Sequence, residues 1–289
     1  MIILGLYYGH NASACVIKDG KVLINWELER FTRVKHDYGY NQKFVDKTLE
    51  HCGITYDDVD YIATNFPISI LSWIEKNEPK KMTPYKSIST NGSEYLRSDV
   101  KGKRLIAVNH HLCHAAGAYY TSPFSRSKIF TWDGGGDGEN ASVSYGEGNK
   151  INQYDPKTLK NIASYWSSLC FNNYRMTRIH AWDPGSGAGK IMGLSSYGTP
   201  NDKLGLDIEK DMSLAPDPKN FDPRARAFNE CEDLSDTKRF RSQNVSASLQ
   251  KFTVDNLVEQ IKNISRDGEA NLCYSGGLAL NCIANRDII

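Results

Sequence analysis

The chain opens on short, largely apolar runs separated by turn residues. Ile2 to Tyr8 is a short, mostly apolar strand that turns at Gly9-His10-Asn11, and Ala12 to Ile17 runs back. Lys18-Asp19-Gly20 then makes a hairpin turn into a third strand, Lys21 to Glu27. A helical period takes over from Asn41 to Cys52, where Phe44, Val45, Thr48 and Leu49 share a face and Gly53 is the stop. Asp60 to Asn65 and Arg104 to Val108 read as short strands. The lysine-rich stretch between them, Glu75 to Lys103, reads as a long surface loop broken by Pro79, Pro84 and Gly92. A helix follows the second of these strands, with Asn109 as its N-cap and Ser122-Pro123 beyond its end.

The strand pattern then begins again. Lys128 to Trp132 is apolar, Asp133 to Gly138 is a glycine-rich turn, Ala141 to Tyr145 returns, and Glu147-Gly148 turns into a third strand, Lys150 to Tyr154. Gly9 to Ala14 (GHNASA) matches Gly138 to Val143 (GENASV), so the period is about half the chain and predicts duplicated domains. Further on, Asn161 to Tyr174 is predicted helical, and Gly185 to Gly198 is a glycine-rich segment flanking a short helical turn. Asn201 to Arg241 is polar and carries no assigned element. Gln243 to Ser265 is the clearest helix, with Val245, Leu249, Phe252, Leu257, Ile261 and Ile264 on one face. Leu272 to Tyr274 is a strand, Ser275-Gly276-Gly277 a tight turn, and a new helix starts at Leu278. A parallel layout of this kind wants a further strand and helix, so the second half is expected to be incomplete. The predicted class is α/β, with halves at 1–125 and 126–289.

Composition changes this picture little. A net charge of +1 over 289 residues gives no electrostatic reason for a nucleic-acid or membrane partner. No apolar run reaches membrane-spanning length. The seven cysteines, without paired spacing, suit reduced thiols in a cytoplasmic protein. Between Glu27 and Asp37 both charge signs are dense, and that stretch reads as a solvated face.

The candidate chemistry starts on the helix after Asn109. His110 and His114 are four residues apart, so both imidazoles leave one face, one turn apart, at metal-ligand spacing. Asp133, at the end of an apolar strand, is a candidate carboxylate beside them. Such a set suits iron(II), zinc or manganese. His111 points elsewhere and reads as structural, and Cys113 as packed. Three glycine-bearing turns (Gly9 to Asn11, Asp133 to Gly138, and Ser275 to Gly277) expose backbone N–H groups that suit anionic oxygens, which predicts a nucleotide in a cleft between the halves.

Six motifs in order give this sequence a family resemblance. They are GHNASA (Gly9 to Ala14), ELERFTRVKHD (Glu27 to Asp37), VNHHLCHAA (Val108 to Ala116), DGGGDG (Asp133 to Gly138), GKIMGLSSYG (Gly189 to Gly198) and NLCYSGGLALNC (Asn271 to Cys282). Together the sequence resembles the O-carbamoyltransferases of the nodulation-factor and antibiotic-tailoring type, whose N-terminal domain is similar to the tRNA threonylcarbamoyl-adenosine synthase. The resemblance implies an actin-like, sugar-kinase-like fold of two ribonuclease-H-type halves. It also implies chemistry in two steps. Carbamoyl phosphate and ATP give carbamoyl-adenylate in a separate domain, and the carbamoyl group then passes to a hydroxyl of a small acceptor, such as a sugar, at a metal site. His110, His114 and Asp133 would hold the metal, with iron(II) ahead of zinc and manganese. Gly134, Gly135, Gly136, Gly138, Ser275, Gly276, Gly277 and Asn281 would hold the adenylate. His10 and Lys35 would lie near the reacting carbamoyl. This sequence departs from the family pattern at Asn11 and at Ser195-Ser196, and the family's last metal-ligating aspartate is expected beyond Ile289. The implied partner is a second polypeptide supplying the adenylate-forming domain. The rival readings are an actin-like ATPase or sugar kinase, and a catalytically silent nucleotide-binding module that needs a partner chain.

Overall fold

Three strands open the chain, as the apolar runs and intervening turns predict: β1 (Ile2–Tyr7), β2 (Ser13–Lys18) and β3 (Lys21–Glu27), each antiparallel to the one before. Asp19 and Gly20 both have positive φ (49° and 79°), the requirement of the two-residue turn whose twist matches its strands. In this computed structural model the residues described are 1–7, 9, 11–39, 41–65, 88–90, 93–100, 103–137, 139–153, 159–166, 184–201, 236–265 and 271–288. The protein is mixed α/β, with two mixed sheets in two compact units, Met1–Cys113 and His114–Ile289.

In the first unit, β4 (Tyr61–Thr64) pairs parallel to β1, and β7 (Lys103–Ala107) pairs parallel to β4. Part of the expected loop from Glu75 to Lys103 is instead a hairpin, β5 (Ile88–Thr90) and β6 (Ser93–Val100), with β6 antiparallel to β7. The hairpin extends the sheet by backbone pairing, β6 to β7 on one side and to β5 on the other. The 66–87 stretch lies outside the described residues. Helix α2 (Gln42–His51) covers β2, with Asn41 accepting from the Phe44 N–H at 3.0 Å as N-cap and with Phe44, Val45, Thr48 and Leu49 buried.

The charged stretch after β3 is not simply a solvated face. Residues Leu28–Thr32 form a short helix, α1, that buries both Leu28 and Glu29, the latter only 6% exposed. Arg33 and His36 adopt positive φ (64° and 57°), folding the chain back so that the His36 backbone N–H donates to the Glu29 carboxylate at 2.8 Å. Arg30 and Lys35 stand 3.4 and 3.6 Å from the same carboxylate. That hydrogen bond, with the two cations, lowers the Glu29 pKa below its ordinary value despite burial.

The second unit repeats the opening order. β8 (Arg126–Gly136), β9 (Glu139–Glu147) and β10 (Lys150–Gln153) form an antiparallel meander, and β11 (Leu272–Ser275) pairs parallel to β8. The order β10-β9-β8-β11 reproduces β3-β2-β1-β4 strand for strand, including the one parallel pair. Asp133 to Gly136 is strand and not turn: β8 runs on through a register shift after Trp132, a bulge that three glycines accommodate. Gly138 lies outside the described residues.

β8 is buried on both faces from Ser127 to Trp132. Phe130 and Trp132 enter a core with Leu249 and Leu257 of the long helix α5 (Asp236–Ile264) and Ile191 of α4 (Pro184–Ser195). On the other face, Ile129 meets Ala115 and Tyr119 of α3 (His110–Tyr120). Lys128, although buried, donates from its ammonium to the Ile264 carbonyl, so the cation satisfies the C-terminal turn of α5. α4 is a full helix where a short turn was expected. Pro184 suits its first position, and Ile191 anchors it in the core. α5 begins before the expected Gln243, and the stretch 202–235 that precedes it lies outside the described residues. Of the expected helix from Asn161 to Tyr174, residues 162–166 are helical and 167–174 lie outside them. The last helix breaks in two, a 3₁₀ turn (Gly277–Leu280) and α6 (Cys282–Ile288), because Asn281 caps α6 by accepting from the Ala284 N–H at 3.0 Å.

Three variants check these assignments. Gly276 has φ of 90°, and a Cβ there would stand 2.2 Å from the Trp132 carbonyl oxygen, so Gly276→Ala should cost about 2–4 kcal/mol in urea unfolding. Gly189→Ala in α4, where no described atom lies within 4 Å of the added carbon, should leave stability unchanged or raise it by up to about 1 kcal/mol. Because the Glu29 pKa is lowered by folding, its contribution is complete above the ordinary glutamate range and disappears as pH falls through the lowered value. Wild type should therefore melt above Glu29→Gln at neutral pH, with the gap closing on acidification; a pH-independent gap would contradict the assignment.

Candidate metal centre

Helix α3 owes its orientation to its own sequence. His111, Ala115 and Tyr119 recur every four residues and form its buried stripe, His111 being wholly inaccessible. The Tyr119 hydroxyl donates to the carbonyls of Ser125 and Gly148 at 2.7 and 3.2 Å, and Gly146 leaves room for its ring, since a Cβ there would stand 2.6 Å from it. Asn109 caps the other end, its side chain accepting from the Leu112 N–H at 2.9 Å. His110 and His114 each precede a residue of the buried stripe, so they flank it and are half-buried.

A short connection reverses the chain from α3 into β8. The N-terminal turn of the helix therefore comes back beside the C-terminal end of the strand, where Asp133 stands. The His114 Nε2 lies 3.9 Å from Asp133 Oδ2. One ligand atom from each of His110, His114 and Asp133 falls within 4.8 Å of the other two. Metal–nitrogen and metal–oxygen bonds of ~2.1 Å allow two ligands of one ion to stand at most about 4.2 Å apart. The widest pair thus has to close by at least about half an ångström, and by roughly 1.4 Å for tetrahedral donors about 3.4 Å apart, which side-chain rotation of half-buried groups can supply. Two imidazoles and a carboxylate with open positions are a donor set that suits iron(II), zinc or manganese.

Two neighbours hold this trio, and the sequence reading did not single out one of them. Asn65, the residue after β4, places its side-chain amide 3.2 Å from His110 Nδ1. A histidine binding metal through Nε2 keeps a proton on Nδ1 and donates it, which the Asn65 oxygen can accept once the amide is turned accordingly. The only signal in sequence was position, since Asn65 ends a strand as Ser275 does in the second sheet. The second neighbour is Gly277, whose backbone N–H donates to Asp133 Oδ1 at 2.7 Å.

The other expected site residues each have their own surroundings. Lys35 is ion-paired to Glu29 and its side chain is 71% exposed. His10 lies outside the described residues. Gly134, Gly135 and Gly136 occupy the bulged end of β8, where the Asn140 side chain donates to the Gly134 carbonyl at 2.7 Å. Ser275 is buried, its hydroxyl 2.9 Å from that of Thr131. Asn281 is 6% exposed, and its amide exchanges two hydrogen bonds with Gln250, at 2.9 and 3.2 Å, while capping α6. The Tyr274 hydroxyl is buried without a hydrogen-bond partner among the described residues, and burial raises its pKa far above the ordinary value. A depression of about 350 Å³ opens elsewhere on the second unit, lined by Ser196, Gly198, Ala247, Val254 and Ile283 among others and by none of the trio. Among the described residues Cys15, Cys52, Cys113, Cys273 and Cys282 form no disulfide, and no helix is long and apolar enough to cross a membrane.

Comparison with known proteins sets this site in context. The Synechocystis protein sll1178 is 28% identical over 98% of the chain, which spans 51% of that relative's length. Nodulation protein U of Sinorhizobium fredii is 23% identical over 97% of the chain, which spans 56% of it. Nodulation protein NolNO of the same organism is 28% identical over 66% of the chain, which spans 28% of it. The chain thus covers about half or less of these relatives. The family described as carbamoyltransferase N-terminus matches residues 2–289. By that match, the chain belongs to the carbamoyltransferase family, corresponding to its N-terminal region.

Proposed function

We propose that this chain moves a carbamoyl group from carbamoyl-adenylate to a hydroxyl of a small acceptor, a sugar being the first candidate, with a divalent metal held by His110, His114 and Asp133. The observation that carries the reading is the convergence of those three side chains from a helix and a strand, in a chain matched along its length by a carbamoyltransferase family. An actin-like, sugar-kinase-like duplicated fold belongs to the same proposal, and the matching strand orders of the two sheets support it. The adenylate-forming step belongs to a separate domain or polypeptide.

In the transfer, the acceptor oxygen bonds to the carbamoyl carbon, the bond from that carbon to the phosphate oxygen breaks, AMP leaves, and the hydroxyl proton passes to a base. The metal, iron(II) ahead of zinc or manganese, supplies Lewis-acid polarisation of the carbamoyl carbonyl when bound. The protein's own contribution is position. The rigid α3 fixes both imidazoles, and Asn65 orients the ring of His110. Lys35, exposed and only loosely paired, is available to an anionic substrate, and His10 is the other polar group assigned near the carbamoyl. The glycines of β8 and of the turn after β11 are assigned to the adenylate.

Two experiments follow. The double variant His110→Ala/His114→Ala, purified anaerobically beside wild type, should lose its bound metal by elemental analysis; equal metal content in the two would refute the site. Carbamoyl phosphate, ATP, the full chain and a cognate adenylate-forming polypeptide should yield a carbamate ester on a hydroxylated acceptor by mass spectrometry. The same double variant should lower that yield by at least about a hundredfold. A phosphorylated acceptor or steady ADP release that survives loss of both histidines would favour the kinase or ATPase reading.

A further inference from the structure

The turn after β11 carries two adjacent glycines, and the structure gives them different work. At Gly276 the constraint is backbone: φ is 90°, and an added Cβ would collide with the Trp132 carbonyl. At Gly277 the constraint is a side chain. Its N–H donates to Asp133 Oδ1 at 2.7 Å, and a Cβ on Gly277 would stand 2.7 Å from the same oxygen. Asp133 Oδ2 is the oxygen that faces His114, 3.9 Å from its Nε2. One carboxylate thus spends one oxygen on the turn and presents the other to the histidine.

We infer that Gly277 is a positioning residue for the proposed metal centre: its backbone amide aims Asp133 at the ion, and its missing side chain lets the carboxylate sit there. The inference rests on the metal reading above and adds to it the group that holds the carboxylate. It also changes the meaning of the Ser275-Gly276-Gly277 turn, because an amide suited to a phosphate oxygen is engaged by an aspartate. A carboxylate free to rotate about χ2 presents either oxygen or neither. One held by a charge-assisted N–H is fixed in plane and direction, and outer partners of this kind are worth about 10–100-fold in metal affinity. Alanine at 277 would push only the far end of the Asp133 side chain, a half-buried group that can swing, so the fold should tolerate it.

The test is manganese(II) titration by calorimetry on full-length wild type, Gly277→Ala and His114→Ala, with thermal melting of the metal-free proteins. The expected result is that Gly277→Ala binds manganese about 10–100-fold more weakly while melting within a few degrees of wild type. AMP affinity is titrated alongside. Wild-type manganese affinity in Gly277→Ala, with or without weakened AMP binding, overturns the inference, provided that His114→Ala has lost manganese. Wild-type affinity in His114→Ala overturns the metal reading itself, which separates the two failures. A second measurement needs no variant. Adding zinc should slow hydrogen exchange of the Gly277 amide in the wild-type chain, and an unchanged exchange rate counts against the inference even if Gly277→Ala fails to fold.

Discussion

The seating of α3 on β8 is the contact on which the candidate site depends. Ala115 and Tyr119 press on Ile129, and nothing larger than a methyl group separates the helix from the strand at Ala115. An anchored helix has no rotational freedom about its axis, so the residues flanking its buried stripe are aimed as firmly as the stripe. Tyr119 fixes the far end through two backbone carbonyls, and Asn109 closes the near end. Chemistry placed on such an element inherits the rigidity of the core.

β8 in turn is positioned by burial on both faces. One face meets α3, the other meets α4 and α5 through Phe130 and Trp132. The strand leaves the core at Asp133, where the apolar run gives way to three glycines. A carboxylate at that point stands where it is dry enough to interact strongly and open enough to be reached. Its neighbour across the sheet, the turn after β11, approaches so closely that Gly276 touches the Trp132 backbone. Close backbone approach requires glycine at position 276.

Much of this was legible beforehand for a physical reason. Period-2 and period-3.6 patterns survive wherever an element buries one face, as β1, β2 and α2 do. The His110 and His114 pair was legible because helical spacing alone places the rings together. The misread segments are those whose order comes from something other than a buried side-chain face. β6 lies between β7 and the edge strand β5, and backbone pairing to both orders it. α4 is glycine-rich yet helical because packing against α5 overrides propensity. Glu29 is buried in a charged run because the chain doubles back to donate His36 N–H to it.

The sequence by itself determined the two strand meanders, the capped histidine helix, the glycine turns and the ordered motifs of the family. These are local properties: each depends on residues within a few positions of one another, or on pattern alone. Which groups meet was decided only in three dimensions. That Asn65 reaches His110, that Gly277 holds Asp133 and that Asn281 is engaged by Gln250 depend on residues up to 144 positions apart. No local pattern encodes such a pairing, because it is the sheet registers and the helix seating, acting together, that bring those atoms within hydrogen-bonding distance.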